Sequence, residues 1–350
     1  MGTGRFLLYG ATGYTGKLTA STARAQGLHP ILAGRDAQKT QAVAAEHGFE
    51  WRAFDLAQTA ALDAALNEVD AVLHVAGPFS ATSKPIADAC LRTGRHYLDI
   101  TGEIDVFEAL ATRDAEAKDR GVMLLPGVGF DVVPSDDLAA HVKHRLPDAT
   151  RLFLAIGGID KMSRGTAKTA VESIARGTRA RRGGLIVRLP ETPRATADFG
   201  DGPVPTVGMS WGDVATAWHS TRIPDIDVHF QSSRQVEQMT RLGPLARLAL
   251  STRVGQRLAK STIDRQPEGP TDAERASGHA VLLAEAVNAK GDTARSRLRT
   301  PEGYTLTAMT ALEIARRVLA GEFMPGFQTP SLVYGANFVL QFAGVTRADL

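Results

Sequence analysis

The stretch FLLYGATGYTGKLTASTARAQG, Phe6 to Gly27, constrains this chain more than any other. Gly10, Gly13 and Gly16 stand three apart where an apolar run meets an Ala-rich run. A short apolar run ending in glycine reads as a buried strand, and the run after it as a helix. In that setting each glycine has a task. Gly10 makes the tight turn, Gly13 lets the backbone approach a pyrophosphate, and Gly16 lets the helix pack closely on the sheet. The N–H groups at the helix start, with the helix dipole behind them, suit a bridging phosphate. Thr12, Tyr14 and Thr15 complete the candidate cradle. The spacing is G-x-x-G-x-x-G rather than G-x-G-x-x-G, so a plain glycine turn is the competing account.

The next hundred residues repeat the alternation. Strand-like runs are FLLYG, HPILAG, EWRAF, DAVLHVAG, HYLDI and VMLLPG, with helix-like runs between them, several ending in glycine. This argues for an α/β fold, a Rossmann-type doubly wound parallel sheet. A chain of 350 residues suits two domains. The expected division is an NADP-binding domain over 1–134 and a second, α+β domain over 135–325 that closes on substrate. The segment 326–350 is expected to return to the first. With 43% hydrophobic and 22% charged residues, disorder is not expected. The net charge of +2 excludes bulk electrostatic binding of nucleic acid. The single cysteine, Cys90, allows no internal disulfide, and the nine histidines show no metal-ligand spacing. No signal peptide or spanning helix is expected. SLVYGANFVLQFAGV (331–345) reads as a buried terminal helix, and a cytoplasmic protein, at most peripheral to a membrane, is the expectation.

The second strand decides which nucleotide fits. It ends in Gly34-Arg35, where an NAD site places a carboxylate. Arginine suits a 2′-phosphate and Gly34 leaves room for one, so NADP is favoured over NAD. Asp36 either binds ribose hydroxyls or caps the next helix. Asp55, after the third strand, either sits near the adenine or is a cap.

Ligands in open α/β sheets lie outside the carboxyl ends of the strands. The fourth strand ends in Val75-Ala76-Gly77-Pro78-Phe79, and Ala76, Gly77, Pro78 and Phe79 join the cofactor candidates. The fifth ends in Asp99-Ile100-Thr101-Gly102-Glu103 and the sixth in Pro126-Gly127-Val128-Gly129-Phe130-Asp131. Hydride transfer to a carbonyl, an imine or an activated C=C leaves an atom that needs a proton. Candidates for that role are Tyr97, Asp99 and Asp131, with Ser135 and Lys84 behind them. Tyr97 and Asp99 share a side of one strand, so if that side is the sheet face they are structural. Asp131 is alternatively a helix cap. Gly129 and Phe130 are candidate substrate contacts.

GATGYTG, AGR, AGPF with ADACLRTGRHYLDITGE, and PGVGFDVVPSD resemble the saccharopine dehydrogenase-like oxidoreductases, most closely the branch of trans-acting enoyl reductases. The likeness continues in GPTDAERASGHAVLLAEA and RTPEGYTLTAMTALEIARRVLAGE and is weakest over 179–260. It implies an NAD(P)-binding Rossmann domain and a second domain that closes over the nicotinamide. In GPFSATSKP, Ser83 stands where the family usually has glycine, which makes Ser83 a substrate candidate. The family also implies that a stretch like MSRGTAKTA lines the cleft, adding Ser163, Gly165 and Thr166, against the simpler account of a hydroxyl-capped helix turn.

TRLFLAIGG reads as the first strand of the second domain, after a helix capped by Ser135. Between Lys161 and Arg188 there are eight basic residues and one acid. Such a face suits a carboxylate, a phosphopantetheine arm or an acidic carrier protein, or is merely solvated. The basic, leucine-interleaved stretch 239–263 suits a membrane surface or carrier, or lid packing. Phe199, Met209, Trp211 and Trp218 favour a lipid-like substrate. The helix over 307–321 is read as packing, through Met309, Leu312, Ala315 and Leu319. The function expected is an NAD(P)H-dependent reductase of an enoyl-type, acyl or carrier-bound substrate; a homo-oligomer is compatible with the sequence, which does not fix the oligomeric state. The alternatives are an imine or secondary-amine oxidoreductase, and a non-catalytic NADPH-binding or lipid-surface scaffold.

Overall fold

The computed structural model describes residues 4–159, 161–233, 250 and 252–350. The chain divides into two compact units: 1–133 with 304–333, and 134–303 with 334–350.

In the first unit six apolar runs form a parallel sheet: β1 (Phe6–Tyr9), β2 (Ile31–Gly34), β3 (Trp51–Ala53), β4 (Ala71–His74), β5 (His96–Asp99) and β6 (Met123–Leu125). Every residue of β1, β2, β4, β5 and β6 is buried, as expected of a parallel sheet covered on both faces. The helices between them are α1 (Tyr14–Ala25), α2 (Ala37–His47), α3 (Thr59–Asn67), α4 (Phe79–Thr93), α5 (Ile104–Ala111) and α6 (Asp114–Asp119). A seventh strand, Gly326–Phe327, adds to β6, giving the order 326/327-β6-β5-β4-β1-β2-β3. The order reverses between β1 and β4, the switch point at whose carboxyl edge sheets of this kind bind their ligands. This is the expected doubly wound fold.

The returning segment differs from expectation. It is 304–333, not 326–350. The helix Gly303–Leu319 buries Leu306, Ala308, Ala311, Leu312, Ile314, Ala315 and Val318, while Met309 and Leu319 are only half-buried. Its apolar stripe is therefore rotated from the one read in the sequence. Residues 331–345 are not one helix. Gly335 takes a left-handed φ of +82° after the short helix Pro330–Tyr334, and a 3-10 turn Phe338–Gln341 follows. The chain then ends in a strand, Thr346–Asp349, paired antiparallel with Thr293–Pro301 in the second unit.

The second unit opens with α7 (Val133–Arg145), which starts ahead of Ser135, so Ser135 is a buried helix residue and not its cap. β7 (Ala149–Gly157) is the first strand of a nine-stranded mixed sheet, as expected, and α8 (Arg164–Arg176) follows it. The β7 strand pairs parallel with Asp225–Gln231 and antiparallel with His279–Asn288. The aromatic residues work in packing. Trp211 meets Phe230 edge-on at 4.8 Å, and the guanidinium groups of Arg181 and Arg222 lie 5.4 and 5.5 Å from the Trp218 ring. Much of the basic face is answered within this unit. Lys161 pairs with Glu274, Arg164 with Glu268 at 2.9 Å, Lys168 with Asp264 at 2.5 Å, and Arg182 with Asp227 at 2.7 Å. Of the stretch 239–263, residues 239–249 and 251 lie outside the described residues; the rest includes a helix, Arg253–Ile263, with Leu258 exposed. Among the described residues no helix is long and apolar enough to cross a membrane.

Candidate functional site: a dinucleotide cradle at the carboxyl edge

The cradle follows from three glycines with three different constraints. Gly10 has φ +98°, and a Cβ there would stand 2.8 Å from both the Cβ and the N of Ala76. It is glycine because the loops after β1 and β4 touch. A Cβ on Gly16 would collide with the Gly10 carbonyl oxygen and stand 2.8 Å from the Ala11 Cα, so the first turn of α1 lies directly on the preceding turn. Gly13 is different. It is exposed, has φ −79°, and a Cβ would meet nothing nearer than the Gly10 oxygen at 3.5 Å. Its bare backbone is not demanded by packing. Gly13 is the N-cap of α1, and no side chain caps that helix. The N–H groups of Gly10 and Ala11 are spent on the Ala33 carbonyl, at 2.8 and 3.2 Å. The Gly13 N–H in turn donates to the Gly10 carbonyl at 3.1 Å, closing the turn.

At the end of β2, the space over Gly34 is taken by protein. A Cβ there would meet Thr40 Oγ1 at 2.8 Å, and that hydroxyl donates to the Asp36 carbonyl. Gly34 therefore serves the close packing of α2. Arg35 is exposed beside it. Asp36 caps α2, its Oδ1 accepting from the Lys39 N–H at 3.1 Å. Asp55 accepts from the Ala57 N–H at 2.9 Å. Asp55 and Arg35 both act on Tyr9, whose hydroxyl burial pushes up to about 12, Asp55 raising it further and Arg35 opposing. The ends of β1, β2 and β3 thus converge on one polar edge.

The other half of the edge is braced by buried polar groups. His74 Nε2 lies 2.8 Å from Thr82 Oγ1, whose hydroxyl lies 2.8 Å from the Ala76 carbonyl. Burial holds the imidazole neutral, its pKa lowered to about 3. Phe79 packs edge-on against it at 5.0 Å. Glu103 accepts from the Phe79 and Ser80 N–H groups at 2.7 and 2.9 Å, capping α4 from the loop after β5. Gly77 is exposed and joined to Pro78 by a cis bond. Ser83 is buried one turn into α4, and Lys84 is on its surface, paired with Asp88.

Of the proton-donor candidates, Tyr97 and Asp99 are fully buried and face each other. The Tyr97 hydroxyl donates to Asp99 Oδ2 at 2.5 Å, while Asp99 Oδ1 accepts from the N–H groups of Thr101 and Gly127 at 2.9 and 3.0 Å. Burial raises the Asp99 carboxyl to about 7 against these three bonds. The pair ties the loops after β5 and β6 together. Asp131 is partly exposed on the loop after β6, against Gly102, where a Cβ would stand 2.8 Å from its Oδ2. Burial raises its carboxyl to about 7. The same loop is held from the returning segment. Thr307 Oγ1 accepts from the Phe130 N–H at 3.0 Å, a Cβ on Gly129 would meet Thr307, and Thr310 donates to the Val128 carbonyl at 2.8 Å.

Ser163 and Thr166 belong to the other unit. Ser163 Oγ accepts from the Thr166 N–H at 3.2 Å, which is the hydroxyl cap of α8, and Gly165 sits in that first turn. Glu103 and Thr307 escaped sequence reading because their partners, Phe79 and Phe130, are distant in the chain; the contact of His74 with Thr82 joins a strand end to the following helix and leaves no local sequence signal. Cys90 is buried, its thiol pushed far up by burial. No group of three or more acidic, histidine or cysteine side chains suited to a metal occurs among the described residues.

Residues 6–125 match the family described as the saccharopine dehydrogenase NADP binding domain. A trans-acting enoyl reductase of Mycobacterium leprae is 36% identical over 143 residues, covering 37% of this chain and 33% of that protein. One from Mycobacterium ulcerans is 31% identical over 147 residues, covering 40% and 35%. The chain thus spans about a third of the length of these relatives. In fold it is similar to saccharopine dehydrogenase (L-Glu forming) of Saccharomyces cerevisiae, with a TM-score of 0.63 at 10% identity over 99% of each chain. The glycine cradle and the strand order agree with that match: residues 6–125 are similar to the NADP-binding domain of saccharopine dehydrogenases.

Proposed function

We propose that this chain is an NADPH-dependent reductase of an activated C=C bond in an acyl-type substrate. The observation that carries the cofactor half is Gly13, an exposed glycine at the start of α1 that neither φ nor packing requires. The acyl half is supported by the relatives, whose name says that they reduce enoyl groups and act in trans. A protein acting in trans works on a substrate held by another protein, so a carrier-bound chain is the natural form. The braces around Ala76 and Phe79 shape the nicotinamide side, and Arg35 supplies positive charge for a 2′-phosphate.

NADPH, when bound, supplies a hydride. Saturating a C=C bond takes one proton in addition. Asp131 is the group suited to deliver it. Its carboxyl is raised to about 7, so near neutrality it keeps a proton, and it lies on a strand-end loop. Asp99 is raised as far, but it is fully buried, whereas Asp131 is half-buried. Tyr97 and Asp99 therefore position the loop that carries Asp131.

The test is consumption of NADPH with an α,β-unsaturated acyl thioester, compared with an imine formed from an amino acid and an oxo acid. Oxidation of NADPH by the thioester with wild type, and its loss in Asp131→Asn, supports this reading. Turnover with the imine alone transfers the chain to the amine class.

A further inference from the structure

The loop after β6 and the first turn of α1 lie on opposite sides of the crevice, because β6, β5, β4 and β1 follow one another in the sheet. Three strand spacings separate them, about 14 Å. One helix spans that gap. The first turn of Gly303–Leu319 sets Tyr304 against Tyr14, ring centroids 5.1 Å apart and planes at 89°. One turn on, Thr307 holds the Phe130 N–H at 3.0 Å. Tyr14 is the first residue of α1, immediately after Gly13. Both tyrosines are half-buried. The Tyr14–Tyr304 pair thus links the first turn of α1 to the helix turn that holds the loop after β6.

A dinucleotide bound across the switch point lays its adenosine half over β1–β3 and its other half over β4–β6. We infer that Tyr304 is a cofactor-contacting residue, covering the nicotinamide half with Tyr14, and that the segment 304–319 completes the nucleotide site. The inference rests on the NADPH reading. It assigns a role in that site to a helix that the family match, ending at residue 125, does not include. A half-buried tyrosine ring set edge-on to a second ring offers an apolar face to a flat cationic or neutral heterocycle. Its position beyond α1 leaves the adenosine end, at Arg35 and Asp55, untouched.

The experiment separates the two halves of the ligand. Binding of NADPH and of adenosine 2′,5′-bisphosphate, which lacks the nicotinamide half, is titrated by calorimetry on the full chain, wild type, Tyr304→Phe and Tyr304→Ala. Tyr304→Ala is expected to weaken NADPH about tenfold or more and to leave the bisphosphate unchanged. Tyr304→Phe keeps both. Retained bisphosphate binding also shows that the unit remains folded. Equal weakening of both ligands in Tyr304→Ala, or weakening of neither, overturns the role of Tyr304 while wild-type binding upholds the NADPH reading. Failure of wild type to bind either ligand overturns the NADPH reading itself, and this inference with it.

Discussion

Gly10 and Ala76, at the ends of adjacent strands β1 and β4, stand so close that a methyl group on Gly10 would lie 2.8 Å from the Ala76 Cβ. That contact brings the loop proposed for the pyrophosphate and the loop proposed for the nicotinamide side to one point. It also separates glycines needed for folding from the one needed for binding. Gly10→Ala is expected to cost more than about 2 kcal/mol, through its left-handed backbone and the collision. Gly13→Ala is expected to cost less than about 1 kcal/mol, the difference between glycine and alanine at an N-cap. Yet Gly13→Ala should lose NADPH. Thermal melts and nucleotide titration on both variants check this. A Gly13→Ala protein that binds NADPH as wild type does would remove the reason given for that glycine.

Glu103 tests how far the brace of α4 matters. Its carboxylate accepts from two helix N–H groups at once. Glu103→Ala is expected to destabilise the protein by roughly 1–2 kcal/mol, as loss of a good cap does. Glu103→Gln retains one acceptor and should fall between. Denaturant unfolding measures both.

Asp131 sets a pH dependence. Its pKa is about 7 in the folded protein, above the usual carboxylate value. The folded state therefore holds a proton that the unfolded state has released between about pH 4 and 7. This contribution to stability is complete below the unfolded pKa and is lost as pH rises through 7. Melting temperature should fall across that window, and Asp131→Asn should flatten part of the fall. Asp99, raised similarly, keeps the remainder. The reductase rate should fall as pH rises through about 7, and Asp131→Asn should reduce it roughly 100-fold. A variant with the wild-type rate and pH profile removes Asp131 from the chemistry.

The six strands and the cradle were readable because parallel strands buried on both faces appear as short apolar runs, and because a turn into a helix leaves glycines at fixed spacing. The boundary near residue 134 was readable from the end of that alternation. The role of Gly34 was not. Its empty Cβ position admits Thr40, six residues on, and nothing local distinguishes that from room for a phosphate. The return at Tyr304 was also hidden, since a helix that packs on the first sheet has the same period as one that packs on the second. Glu103 reads as one more acid before a helix. Only the fold shows that the helix it caps is α4, twenty-four residues back.

Arg35 carries the most direct test of the central claim, that the first unit holds NADPH. Wild type and Arg35→Ala are titrated with NADPH and NADH at fixed ionic strength, following nucleotide fluorescence. The account predicts much tighter binding of NADPH by wild type. It predicts that Arg35→Ala brings NADPH down toward NADH, by about tenfold or more, while leaving NADH unchanged, as expected for loss of a charge-assisted contact to phosphate. Equal affinities in wild type, or a preference that survives Arg35→Ala intact, would contradict it.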